Sequence, residues 1–485
     1  MLRSGVEQLE SIRDGRRVLI GSERVGDVTR HPAFIGACET VAGLYDLKKD
    51  PVHAAFAVST DEDADPYSSY FLKPRTQDDL RKRAATHRLI AGKTFGMWGR
   101  SMDHVASFLT GMAMRPGLFE VGDNDFGANI QAFYDKARKE DAYVSYAINP
   151  PQGTRNPAGF DGTGFDNPSL RVVAETDDGI VLSGLKMLAT AGVFSNYLFI
   201  GNITPLAPGQ TAEAVTCVVP LAAEGVSLWM RKPYDGGPSD PARAPLSARY
   251  DETDAMVLCK DVKVPWENVF TYREPAQTRR IFFETPAHSL GNHQSNIRFH
   301  EKLKMIAGLA HKVVACTEAG QIPAVKEALG RLASLEALLG GVIEGQIAAP
   351  EAWGEGYVGV NRRMVYAALN WCTENHSQII DTLRELCGGG MFQMPANLSV
   401  LDDPELAADF RTYFRTAHVD AEARAQLFRL AWDVIGTEFA GRHQSYEKFY
   451  SGGPFAVRAY NYTIADWDGY DTIVDDLLMS SDCGN

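Results

Sequence analysis

Apolar positions recur first at helical spacing, then in short β-type runs, then at helical spacing again. Ser4 and Glu7 have capping-box spacing and open a short helix ending near Gly15. Val18–Ile20 and Val25, either side of Gly21-Ser22, predict a small hairpin. Phe34–Leu47, with Ile35, Ala42 and Tyr45 on one face, is a predicted helix, as are Thr76–Trp98, Asp103–Met114 and Ala128–Lys139. From Tyr143 glycine and proline become frequent. Leu170–Thr176, Ile180–Leu182, Leu185–Leu188, Tyr197–Ile200, Ala214–Val219, Val226–Met230 and Ala255–Val264 then read as strands, with Ser183-Gly184 as a turn. From about Arg279 the helical period returns. Ile297–Gly320, Pro323–Glu344, Pro350–Cys372 and Ala421–Arg442 are long, and four long helices in succession predict a bundle. The expected organisation is α+β and multidomain: helical over 1–142, β over 143–272, a helical bundle over 273–485. The Ser480–Asn485 tail reads as dispensable.

A chain of 485 residues is too long for one small core, and 45% hydrophobic with 23% charged residues is ordinary globular composition. No apolar run approaches the roughly 20 residues of a spanning helix, and MLRSGVEQLESIRDG has no apolar signal core, so a cytoplasmic location is expected. The net charge of −14 is spread along the chain, which disfavours nucleic acid and anionic membrane as partners. Seven cysteines are scattered and never form a CxxC, so free thiols are expected rather than a zinc or iron–sulfur site.

Gly159–Gly164 has the wrong glycine order for a dinucleotide fingerprint, and Cys387–Gly390 lacks a third spaced glycine. A redox enzyme of this sequence would therefore take electrons from something already reduced. Thr190 is a small polar residue at an apolar strand end, bonded either to nearby backbone or to a ligand. Arg100 and His104 are spaced i, i+4, which places them on one helical face. The Gly- and Pro-rich run Tyr234–Pro245 reads as a lid.

Several segments, all in the same order, resemble the 4-hydroxyphenylacetate 3-monooxygenase (large oxygenase component) family. They are Thr94–Ser101 (TFGMWGRS), Asn149–Arg155 with one extra proline, Gly179–Asn202 around Thr190, Pro245–Glu252, Val264–Glu267, His293–Arg298 and Gly436–Tyr446. The resemblance implies the acyl-CoA dehydrogenase-like fold: an N-terminal helical domain, a middle β-barrel domain and a C-terminal four-helix bundle. It implies the oxygenase component of a two-component flavin monooxygenase. FAD arrives as FADH2 from a separate NAD(P)H:flavin reductase, reacts with O2 to a C4a-hydroperoxide, and a phenol, free or carrier-tethered, is hydroxylated ortho to its oxygen. A homotetramer is implied as well.

By the same resemblance Arg100 faces the phenol oxygen, and Asn149, Gln152, Arg155, Thr190, Gln294 and Arg298 contact the flavin. Gly388, Gly389 and Gly390 meet the flavin of a neighbouring subunit, and Arg442, His443 and Tyr446 complete the site, although His443 also reads as a structural histidine. The chain departs from the family where a tyrosine and a histidine touch the phenol: His104 and Ser145 stand there. His104, His288 and His293 are the candidate bases, with His293 alternatively on the flavin. Phe95, Trp98, Phe194 and Phe449 are candidate walls of a dry pocket. Rival readings are an acyl-CoA dehydrogenase-like flavoprotein with Glu438 as base, the related iron–sulfur 4-hydroxybutyryl-CoA dehydratase, and a non-catalytic helical scaffold.

Overall fold

The computed structural model describes residues 2–61, 65–121, 124–234 and 244–482. Most of the predicted lid, at 235–243, and the end of the tail, at 483–485, lie outside the described residues.

The N-terminal helices form where capping and periodicity place them. Ser4 and Glu7 make a reciprocal capping box on Gly5–Ser11, and Thr76 with Asp79 makes another on Gln77–Lys93. The latter helix stops short of Trp98, because Phe95 and Gly96 both take positive φ and turn the chain. Helices Ile35–Lys49, Met102–Ala113 and Gly127–Glu140 follow. Met102–Ala113 is buried on every side, which suits a segment wedged between the other layers.

The β region is two sheets. Five strands of the larger, six-stranded sheet run Glu23–Val25, Arg17–Ile20, Val226–Met230, Ala255–Pro265 and Gly179–Lys186, with Arg171–Thr176 at the far edge. The predicted N-terminal hairpin thus belongs to this sheet: Arg17–Ile20 pairs parallel with Ser227–Met230. Gly179–Lys186 is continuous where Ser183-Gly184 predicts a turn. Gly184 absorbs the irregularity at φ 121°, beside a bulge in the facing Ala255–Pro265 strand. The smaller sheet is ordered Val269–Tyr272, Val215–Pro220, Tyr197–Ile200, Val144–Ala147. One apolar core runs through the N-terminal helices and both sheets.

The C-terminal region is built on the 30-residue helix Ala287–Cys316, which packs on Pro323–Ala348 and Arg362–Cys387 and also on Gln77–Lys93 and Met102–Ala113. Arg362–Cys387 starts later than expected because 351–352 pairs with 358–359 in a small hairpin. The fourth predicted helix is two: Ala421–Ile435 ends at Gly436, and Thr437 caps a new helix, Glu438–Lys448. After that break Glu438–Lys448 packs on Arg362–Cys387 and Ala421–Ile435, and its Arg442 reaches Glu252 and Asp254.

Candidate active site

Three segments converge on Arg100. Its loop enters Met102–Ala113 and is pinned by Glu252, whose carboxylate accepts the backbone N–H groups of Gly99 and Arg100 at 2.9 and 2.8 Å. Gly99 has to be glycine: a Cβ there would stand 2.0 Å from the Tyr446 hydroxyl. The Arg100 guanidinium donates to His104 Nε2 at 2.9 Å and to the Tyr450 carbonyl at 2.7 Å. It lies 3.8 Å from the Tyr450 ring centre and 5.3 Å from that of Tyr146. Burial works against its charge, but Tyr146, Tyr450, Tyr446 and Glu252 outweigh it and raise its pKa above the usual arginine value. Among the described residues no carboxylate is within ion-pair distance of this guanidinium. The result is a half-buried cation held by neutral acceptors and ringed by tyrosines.

His104 is neutral. Burial and the neighbouring Arg100 hold its pKa well below the ordinary histidine value. Its Nδ1 is 3.1 Å from Gln294 Oε1, and its Nε2 is 3.4 Å from the Tyr146 hydroxyl. Arg100 and His104 therefore do meet, although Arg100 precedes the first helical turn.

Other predicted residues lie elsewhere. Tyr146, not Ser145, faces Arg100: the two alternate along the Val144–Ala147 strand, so only one of them can point into the site. Ser145 is buried without a hydrogen-bond partner for its hydroxyl, toward Gly192. Phe194 is core, packed on Trp98 at 5.6 Å and on Phe34 at 6.1 Å, while Phe95 and Phe449 are exposed. His288 sits in an aromatic box, 4.5 Å from Phe283, bonded through Nδ1 to the Tyr366 hydroxyl at 3.0 Å. His293 bonds Gln346 Oε1 at 2.6 Å. Burial pushes both histidines down to about 3, and each points away from Arg100 into the bundle.

The residues expected on the flavin divide. Gln294 is committed to His104, Ser101 and Asp103. Arg298 makes a bidentate, fully buried pair with Glu447, which also holds Lys302. A buried carboxylate thus holds both Gln294 and Arg298, while the buried Nε of Arg298 is left without a partner. His443 accepts from Lys302 at 3.0 Å, and its Nε2 has no partner; burial and Lys302 keep it neutral.

Thr190 donates to Asp254 Oδ1 at 2.7 Å. Asp254 is clamped by Arg442 through two bonds, at 3.0 and 2.8 Å, and by Arg231 at 3.0 Å. Burial opposes the Asp254 charge, but Arg442 and Arg231 outweigh it and hold the carboxyl below its usual range. The Thr190 proton is thereby taken, and its oxygen is left only as an acceptor. Arg442 also bonds Glu252 and lies 4.0 Å from the Tyr446 ring centre. The buried Tyr446 hydroxyl has no partner. Asn149 is half-buried, and Gln152 and Arg155 are exposed on the loop after the Val144–Ala147 strand. Gly388 and Gly389 are exposed at the C-terminus of Arg362–Cys387, Gly388 at φ 51°, whereas Gly390 packs against Phe428 with no room for a Cβ.

Tyr146, Tyr450, Glu252, Asp254 and Asp103 were not foreseen. Tyr446 and Tyr450 at i, i+4 carried a signal, and Glu252 ends the Pro245–Glu252 segment that resembles the family; Asp254 and Asp103 carried none.

The family model for the 4-hydroxyphenylacetate 3-hydroxylase N terminal matches residues 4–271, and that for its C terminal matches 278–479. The oxygenase component of 4-nitrophenol 2-monooxygenase from a Rhodococcus species is 32% identical over 465 residues, covering 94% of this chain and 87% of the relative. A crystal structure of the oxygenase component of 4-hydroxyphenylacetate 3-monooxygenase, complexed with FAD and 4-hydroxyphenylacetate, superposes with a TM-score of 0.93 at 26% identity over 99% of both chains. An archaeal 4-hydroxybutyryl-CoA dehydratase from N. maritimus, at 18% identity and a TM-score of 0.86 over 99% of this chain and 95% of the other, shares the fold alone. The architecture is acyl-CoA dehydrogenase-like. With family models spanning nearly its whole length, the chain belongs to the 4-hydroxyphenylacetate 3-hydroxylase family.

Proposed function

We propose that this chain is the oxygenase component of a two-component aromatic monooxygenase that hydroxylates a phenol ortho to its hydroxyl, using O2 and FADH2 delivered by a separate NAD(P)H:flavin reductase. The observation that carries the reading is Arg100: a half-buried guanidinium, bonded among the described residues to a neutral imidazole and a carbonyl, under tyrosine rings. A phenolate oxygen is the ligand such a cation favours, because it replaces neutral acceptors with an anion in a low-dielectric site.

The residues fit a flavin. Thr190 offers an acceptor to a ring N–H, and Ser145 and Tyr446 are buried hydroxyls without partners. Asn149, Gln152 and Arg155 stand on the adjoining loop, and Gly388–Gly390 are assigned to a neighbouring subunit's cofactor. Bound FADH2 would supply the electrons that let one oxygen atom of O2 enter the ring while the other leaves as water. The protein's part is to ionise and hold the phenol: His104 takes the proton, Arg100 faces the oxygen, and Tyr146, Tyr450 and Phe108, whose ring lies 5.2 Å from that of His104 and 5.8 Å from that of Tyr146, wall the ring. The acyl-CoA dehydrogenase alternative loses its base, since Glu438 is exposed and paired with Lys232.

We assign a homotetramer in the cytoplasm. The assembly is supported by the Trp467–Asp482 helix, on which Ile473, Val474, Leu478 and Met479 are exposed, and by the exposed glycines at 388 and 389. Sedimentation showing a fully active monomer would remove it. For the activity, the purified chain is mixed with chemically reduced FAD, O2 and a panel of phenols that includes 4-hydroxyphenylacetate and 4-nitrophenol. Catechol formed per FADH2 consumed is counted. No product from any phenol, or NADH oxidation by the chain alone with FAD, rejects the reading.

A further inference from the structure

A chain of buried polar groups runs away from the phenol site and ends inside the helical core. His104 Nδ1 meets Gln294 Oε1 at 3.1 Å, and Gln294 Nε2 meets Asp103 Oδ1 at 3.2 Å and Ser101 Oγ at 3.3 Å. The other oxygen of Asp103 meets His87 Nδ1 at 2.7 Å. All five residues are buried, at 2% exposure or less.

Donor and acceptor roles are forced at both ends. An arginine can only donate, so the 2.9 Å contact from Arg100 makes His104 Nε2 an acceptor. A carboxylate can only accept, so the Gln294 amide must turn its NH2 to Asp103 and its oxygen to His104. Both conditions require the His104 proton on Nδ1. Ser101 completes the arrangement by donating its own hydroxyl to Asp103 Oδ1, which leaves the serine oxygen to accept from Gln294.

We propose that Gln294, oriented by Asp103, is a positioning residue that locks His104 in the Nδ1–H tautomer, so that Nε2 receives the phenolic proton. This rests on the phenol-hydroxylase reading above. The phenol O–H bond breaks, an Nε2–H bond forms, and the imidazole becomes imidazolium with its Nδ1–H still on Gln294. Arg100 exchanges Nε2 for the phenolate oxygen. With the opposite amide orientation, Nδ1 would have to accept from Gln294, Nε2 would carry the proton, and neither Arg100 nor a phenol could donate to it. The charged or titratable groups around His104 are Arg100 from the loop before Met102–Ala113, Asp103 and His87 from the N-terminal helices, Tyr146 from the sheet, Arg298 from the bundle and Tyr450 from the segment after Glu438–Lys448.

The test uses the full chain without flavin and reads a bound chromophore. 4-Nitrophenol is coloured only when ionised, so its absorbance against pH gives the ionisation constant of the bound phenol. In the wild type the bound probe should ionise at lower pH than the free one. Gln294→Met, which keeps the length and removes the acceptor, should move that midpoint up by about one pH unit, a tenfold change in the constant. Gln294→Glu, whose carboxyl shares a proton with Asp103 in place of the amide N–H and keeps an oxygen for Nδ1–H, should restore the shift. Asp103→Asn should move it in the same direction as Gln294→Met by less, and decides the matter if Gln294→Met does not fold. Wild-type titration in the folded Gln294→Met or Asp103→Asn protein overturns the proposal. If His104→Ala also titrates as wild type, or the wild type leaves 4-nitrophenol at its free midpoint, the phenolate-site reading falls instead.

Discussion

Two arginines, one half-buried and one buried, flank one tyrosine ring, and they are held in opposite ways. Arg100 lies 3.8 Å and Arg298 4.7 Å from the centre of Tyr450. Arg298 is matched oxygen for nitrogen by Glu447, with Lys302 on the same carboxylate. Arg100 has an imidazole and a carbonyl. A carboxylate-matched guanidinium is part of the frame, and replacing its partner by a ligand would strand a buried anion. A guanidinium satisfied by neutral groups can release them at little cost when an anion arrives. Arg298 is the more deeply buried of the two, but the identity of the acceptor is what separates frame from ligand site.

The sharpest way to break that contrast is to exchange the roles by mutation. Glu447→Gln should leave Arg298 and Lys302 uncompensated and lower stability by about 3–5 kcal/mol, read by chemical denaturation. Arg100→Met should melt close to the wild type, yet lose about 1.5–3 kcal/mol of phenolate binding, roughly a 12- to 160-fold weaker Kd by spectroscopic titration. Equal melting losses in both variants would abolish the distinction.

The histidines extend it. Burial holds His288, His293 and His376 at about 3, against 6.5 in an exposed chain. Below pH 6.5 the unfolded chain takes up protons that the folded chain refuses, so stability is lost as pH falls from 6.5 toward 3. His293→Gln should flatten that loss by up to about 1.4 kcal/mol per pH unit, seen in denaturation midpoints across pH. An unchanged slope would mean that His293 charges in place.

The smallest effect belongs to Thr190→Val. Removing one neutral acceptor should weaken binding of reduced flavin by about 0.5–1.5 kcal/mol, a factor of roughly 2 to 13, with melting little altered. Unchanged affinity would return Thr190 to a role confined to Asp254.

How far the sequence could go is plain from where it stopped. The Arg100–His104 pair was legible because i, i+4 spacing survives even when the first residue precedes the helix. The choice between Ser145 and Tyr146 was not: Val144–Ala147 has four residues with no polar–apolar alternation, so nothing set its phase. His288, His293, Gln294 and Arg298 share a stretch of helix buried on all sides. Without an amphipathic period, sequence cannot say which face meets Asp103, which meets Glu447 and which meets Tyr366. The acidic partners were hidden for a related reason, since Asp254 and Glu447 acquire their meaning only from arginines nearly 190 and 150 positions away. The α–β–α order was readable because the short β-type runs, frequent in glycine and proline, stand between long stretches at helical spacing.

The parallel ladder between Arg17–Ile20 and the strand at 226–230 also governs how the protein is made. Arg17 finds Ser227 only after everything between them has left the ribosome. Until then the first hairpin has a bare edge, and the larger sheet cannot close around its own middle. The beginning of the chain therefore keeps an open edge until the strand at 226–230 has emerged, and over that interval it needs guarding from other chains.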